Sequence, residues 1–167
     1  MIHNNNTTTT TTTSSNNYPN ISPKLRDIIK NHLPVSSPEL DPSTLSNYTN
    51  FNVNHTTLNL DILFNEKKLK GFVLFNIKSL KNSNSIILDT SYLKIINIFI
   101  NNNKINNFNL NNRIEPLGSS LEIFHNSKID DEFNLKIDYE TTINCTALQW
   151  LDPEQTDGKK LPYLFSQ

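Results

Sequence analysis

The chain has one cysteine, one methionine, one tryptophan and three glycines in 167 residues. Each scarcity excludes something. The single cysteine, Cys145, cannot form an internal disulfide and leaves no cysteine framework for zinc, which fits a reducing compartment. Gly71, Gly118 and Gly158 are too few and too scattered for a phosphate-cradling loop. No apolar run approaches the ~20 residues of a membrane-spanning helix, and the opening MIHNNNTTTT lacks the apolar region of a signal peptide. A cytoplasmic location without a membrane partner is therefore expected. Fifteen basic residues against sixteen acidic ones give a net charge of -1. The lysine and arginine excess that drives binding to nucleic-acid phosphates is missing, so no nucleic-acid partner is expected.

Hydrophobic residues make up 35% of the chain, below the roughly 45–50% of a globular chain counted with glycine. The shortfall falls on residues 1–20, almost all Asn, Thr and Ser, which cannot bury enough apolar surface to offset ordering entropy and read as a disordered tail. From Ile21 to Leu33 the pattern changes. Ser22 is placed to cap, Pro23 sits in a permitted first-turn position, and Leu25, Ile28, Ile29 and Leu33 share one helical face, which predicts a short helix. Pro34, Pro38 and Pro42 then make an extended linker. Residues 21–42 are thus helix and linker, and 43–167 form the domain.

Within that domain His55 to Phe64 alternates, with Leu58, Leu60, Ile62 and Phe64 on one face, the pattern of a half-buried strand. After a turn at Asn65 to Lys68, Leu69 to Ile77 returns with Gly71, Val73 and Phe75 on one face, while Phe72 and Leu74 predict partial cover on the other. Ser85 to Leu88, Leu93 to Ile100, Ile105 to Leu110, Ser120 to Phe124 and Phe133 to Thr142 follow as further strands, separated by Asn-rich or Pro/Gly turns. Phe133, Leu135, Ile137 and Tyr139 give the cleanest period of two in the later set. Closely spaced strands without helices between them predict an all-β fold, a mostly antiparallel sandwich or saddle-shaped sheet pair.

Chemistry-bearing residues are sparse. His3, His32, His55 and His125 are scattered, and none has a second ligand at zinc spacing, so they read as solvated or strand-end histidines and no metal is expected in this chain. Cys145 has no base near it in sequence and reads as a small buried hydrophobe. Asp130, Asp131 and Glu132 lack calcium-loop spacing and read as a solvated turn. Lys67, Lys68 and Lys70 read as solvated lysines flanking a hairpin. Trp150, Tyr163 and Phe165 fit core, interface or pocket wall, with core or interface favoured. Gln167 carries an amide that can pair with both donors and acceptors of a peptide, a role residue chemistry alone leaves open.

The stretch CTALQWLDPEQTDGKKLPYLFSQ, Cys145 to Gln167, resembles a segment of the N-terminal domain of leukotriene-A(4) hydrolase and its fungal relatives, the leucine aminopeptidases among the zinc aminopeptidases. Supporting matches are DPSTLSNYTNF (Asp41 to Phe51), HTTLNLDILF (His55 to Phe64), LDTSYL (Leu88 to Leu93) and EPLGSSLEI (Glu115 to Ile123). The likeness spans about Pro38 to Gln167. It implies a saddle-shaped β domain packed on a thermolysin-like catalytic domain, which holds zinc through a His-Glu-x-x-His helix and a later glutamate. Neither that motif nor the family's Gly-Met-Glu-Asn segment occurs here, so the zinc would belong to the catalytic partner domain and the chain alone would be inactive. The resemblance also implies that Gln167 begins a peptide-contacting run at the domain edge. A different expectation is a stand-alone binding or decoy module that uses the face carrying Trp150 and the Tyr163 to Phe165 edge.

Overall fold

The computed structural model describes residues 41–166. The expected tail, the short helix, the linker up to residue 40 and Gln167 lie outside the described residues. Ten strands follow in order: β1 (Phe51–Leu63), β2 (Lys68–Ser79), β3 (Ser83–Thr90), β4 (Leu93–Ile100), β5 (Asn103–Ile105), β6 (Phe108–Leu110), β7 (Ser119–Ser127), β8 (Glu132–Thr141), β9 (Leu148–Leu151) and β10 (Tyr163–Ser166). They form a five-stranded sheet in the order β1-β2-β8-β4-β5, a three-stranded sheet β3-β7-β6, and the hairpin β10-β9. Every pairing among them is antiparallel. The all-β antiparallel sandwich is the fold that the strand spacing implies.

The cleanest alternation in the sequence belongs to the central strand. In β8, Phe133, Leu135 and Ile137 face inward and are buried, with Leu135 opposite Phe75 on one side and Ile100 on the other. Opposing this row, the smaller sheet contributes Ile86, Leu121 and Ile123, and the two rows make one core. Successive side chains on a strand point to opposite faces, so one run of alternating apolar residues supplies a full core row.

On the outer face of the larger sheet, Lys136 lies over the rings of Phe72 at 4.5 Å and Phe99 at 5.5 Å. Its alkyl stem and charge cover rings that water would otherwise meet. This accounts for Phe72 and Leu74 alternating against the inner row. Farther along the same face, asparagine amides run across three strands: Asn52 donates to Asn54, Asn54 to Asn76 and Asn76 to Asn134. Cross-strand pairs are the unit of sheet stabilisation, and here the Asn-rich composition supplies them.

Four expectations need correction, one of them, the burial of β1, at the groove described below. Ile105 to Leu110 is two strands, because Asn106 and Asn107 carry the chain from the larger sheet, where β5 pairs with β4, into the smaller, where β6 pairs with β7. The Asn106–Asn107 pair is the local sign of the break, and it reads as part of an alternating run because Ile105, Phe108 and Leu110 flank it. His125 is no strand-end residue: it sits within β7, its ring 4.9 Å from that of Phe133, and burial pushes its pKa below the ordinary value. Cys145 is only half-buried, in the turn where its N–H donates to the Thr142 carbonyl.

The exposed edge of β3 is closed by one side chain. The Asn47 amide donates to the Ser85 carbonyl and accepts from the Ile87 N–H, both at 2.9 Å, as a neighbouring strand would. Beside it Asp89 accepts from Leu45 N–H at 2.8 Å and from the Thr44 hydroxyl. Asn47→Ala removes both partners at once and should cost about 1–3 kcal/mol, read as a lower urea midpoint with an unchanged slope. Asn47→Asp keeps the acceptor and should fall between.

Candidate functional site

The signature stretch builds the β9–β10 hairpin. In its connection, Asp152 N–H donates to the Gln155 side chain at 2.9 Å, and Pro153 opens a 3₁₀ turn. The Thr156 hydroxyl lies 2.9 Å from the Pro153 carbonyl and 2.8 Å from that of Leu161, which ties the connection to its return. Gly158 takes a positive φ of 72°, where a side chain would be strained. The Pro-Glu-Gln-Thr and Gly-Lys pieces of the motif are therefore turn chemistry.

Two contacts fix this hairpin on the β1–β2 end of the larger sheet. Trp150 meets Phe64 edge to face with centroids 5.8 Å apart, and Lys67 lies 2.9 Å from the Asp152 carboxylate. The aromatic contact is the stronger anchor, since exposed ion pairs contribute little. Trp150 is thus a packing residue, as its residue type suggested.

Between hairpin and sheet runs a groove of about 480 Å³ lined by Leu60, Ile62, Leu69, Leu148, Tyr163 and Phe165, with no charged side chain in its lining. Around it Leu58 is 58% exposed, Tyr163 57% and Ile62 49%. The half-buried strand expected at His55 to Phe64 is instead mostly exposed. Its apolar face points the expected way, but β1 sits at the sheet edge, and the buried core lies under the strands farther in. Of the readings open for Tyr163 and Phe165 (core, interface or pocket wall), the structure puts both in the groove wall, while Leu58 and Ile62, expected on the covered face of a half-buried strand, are exposed. Alternation records which face is meant to be covered, without saying by what.

A second cavity, about 390 Å³, opens between the sheets against Val73, Phe75, Leu88, Leu121 and Ile137, with Tyr139 at its wall. Burial raises the Tyr139 pKa. Elsewhere the perturbed groups are ion pairs. Lys94 and Lys68 hold the Glu140 carboxyl below its ordinary range, and Arg113, stacked 4.0 Å over Tyr92, does the same for Glu115. None of these pairs is a nucleophile beside a base. Of the acidic triplet, Asp130 and Asp131 lie in the turn before β8 and Glu132 opens that strand: Asp131 accepts from Lys128 N–H at 2.7 Å and Asp130 pairs with Lys78 at 2.9 Å. Lys68 lies 2.9 Å from Glu66.

The sequence matches the peptidase M1 N-terminal domain over residues 47–167. The chain belongs to the peptidase M1 N-terminal domain family. It is 49% identical over 146 residues to leucine aminopeptidase 2 of Vanderwaltozyma polyspora, a match covering 86% of this chain and 22% of that protein. With leucine aminopeptidase 2 of Saccharomyces cerevisiae it shares 47% over 143 residues, covering 83% and 21%. The solved yeast LTA4 hydrolase in complex with bestatin superposes with a TM-score of 0.73 at 47% identity, over 84% of this chain and 22% of that one. The chain therefore spans about a fifth of the length of the curated relatives it matches.

M1 enzymes are zinc peptidases, and the residues here do not fit a zinc ion. Among the described residues no three His, Cys, Asp or Glu side chains are grouped to hold a metal, and the sequence contains no His-Glu-x-x-His. Among those residues, too, no helix is long and apolar enough to cross a membrane. The described residues do present an apolar face beside the β9–β10 hairpin.

Proposed function

We propose that residues 43–167 serve as the non-catalytic N-terminal β domain of a leukotriene A4 hydrolase-like zinc aminopeptidase in the cytoplasm. The catalytic domain, which carries the zinc, packs against this domain. The parent enzyme removes N-terminal residues from peptides and hydrolyses an epoxide as a second activity. The β domain walls one side of the active-site cleft. Gln167, next after the last described residue of β10, contacts the peptide substrate at the domain edge through its amide.

The observation that supports this reading is the uncharged groove under the signature hairpin. Its walls Leu60, Ile62, Tyr163 and Phe165 are shaped by residues of the family motif, and large apolar side chains around it stand in solvent. Contiguous exposed apolar surface marks an interaction site. In this reading the β domain binds and orients, and activation of water by a Lewis acid and a positioned base falls to the catalytic domain.

The test is direct. Purified 167-residue chain supplied with zinc should release no leucyl or arginyl anilide product above the rate in buffer with zinc alone. Turnover at enzyme-like rates would overturn the reading.

A further inference from the structure

Among the described residues the sheets present their edges unequally. In the larger sheet one edge is β5, three residues long, and the other is β1, thirteen residues long. In the smaller sheet β6 is three residues long, and β3 is closed by the Asn47 amide. Strands β9 and β10 have four residues each. Short and covered edges are how proteins avoid unwanted strand pairing. Strand β1 has none of these protections: FNVNHTTLNLDIL contains no lysine and no proline. Its bulge at Val53–His55 lies at one end, leaving His55–Leu63 as a regular nine-residue edge.

We propose that this edge is a strand-pairing site for a second copy of the chain, joining two larger sheets across a two-fold axis at Asn59. The sequence of β1 favours itself as partner. Antiparallel pairing about an axis perpendicular to the sheet keeps both inner faces on the same side. Centred on Asn59, it matches all of His55–Leu63 with its own copy. Leu58 then faces Leu60 of the second copy, and Asn59 faces itself, where two amides can exchange hydrogen bonds. Asp61, the only carboxylate in the strand, faces Thr57, so no like charges oppose.

A single long edge among the described residues also fixes the stoichiometry. Pairing consumes it on both copies, and among the described residues the remaining open edges are only three or four residues long, so a closed dimer forms. The pairing brings Leu58 and Leu60 of both copies into one apolar stripe. This proposal concerns the edge of β1 and holds independently of the aminopeptidase reading.

Sedimentation equilibrium of the full 167-residue chain, from dilute to millimolar solution, should show a monomer–dimer equilibrium. Asn59→Lys places two lysines against each other on the axis and should weaken dimerisation at least ~tenfold, as should Asn59→Asp. Mixing the two variants should restore a dimer at least as tight as the original. Asn59 is exposed in a regular strand, so circular dichroism should show both variants folded. A chain that stays monomeric throughout, a dimer indifferent to both variants, or open-ended aggregates in place of dimers would each overturn the proposal.

Discussion

Gly71→Val is expected to unfold the domain. Gly71 lies in β2 opposite Leu60, and a Cβ built on it would stand 2.0 Å from the Asn59 carbonyl oxygen and 3.0 Å from the Leu60 Cα. These atoms are backbone, so no rotamer change relieves the overlap. Strand β1 would have to leave β2, taking with it the floor of the apolar groove. Ordinary overpacking costs about 1–3 kcal/mol because side chains can shift. Here the neighbour cannot, and the loss should exceed that range. The measurement is urea unfolding followed by circular dichroism, with Gly71→Ala also expected to fail. The contrast is Gly158→Ala, where nothing lies within 4 Å of the added Cβ. Only the positive φ is penalised there, at about 1–2 kcal/mol.

Leu135→Ala should be the most damaging simple truncation of the core. Leu135 is fully buried at the centre of the five-stranded sheet, flanked by Phe75 and Ile100 and facing the smaller sheet. Its neighbours are themselves on paired strands and cannot collapse into the space, so the cavity persists. Such losses run about 2–5 kcal/mol, with the upper half expected where the site is rigid. Against a typical stability of about 5–15 kcal/mol, the variant would be marginal. Leu161→Ala, at a residue 75% exposed, should stay within about 0.5 kcal/mol of the original.

The difference between these two leucines was partly legible in the sequence. Phe133, Leu135, Ile137 and Tyr139 keep a strict period of two, and that strand is the centre of the larger sheet. Period, turn residues and the absence of helical spacing were enough to give an antiparallel all-β domain. The change of sheet at Asn106–Asn107 is marked only by two turn-forming asparagines, which in so Asn-rich a chain do not stand out from the asparagines within strands. Strand β1 was read correctly for its inward face and wrongly for its burial. Leu58, Leu60 and Ile62 alternate as core residues do, yet alternation cannot say whether the covering surface lies in the same chain.

The candidate site was legible in a different way. Composition and spacing had little to say about Cys145 to Gln167, whereas the motif itself identified the family at once. The structure then explains the motif in terms of construction. Asp152, Pro153, Gln155, Thr156 and Gly158 shape the connection, Trp150 anchors it on Phe64, and Tyr163 and Phe165 line the groove. Such a motif is specific because a turn, an anchor and a wall must all be satisfied together. The functional consequence lies in the surface that these residues hold in place, which is why no catalytic pattern could be found among them.

The central claim, that this domain serves as one wall of an M1 aminopeptidase, is tested most directly by exchange. In yeast leucine aminopeptidase 2, the portion matching this chain would be replaced by residues 43–167. The chimera should be a folded, zinc-bound enzyme that hydrolyses leucyl anilide within about tenfold of the original kcat/KM, a difference of ~1.4 kcal/mol in transition-state stabilisation. Changing Gln167→Ala in it should then raise KM more than it lowers kcat. A folded and zinc-loaded chimera without aminopeptidase activity would contradict the claim.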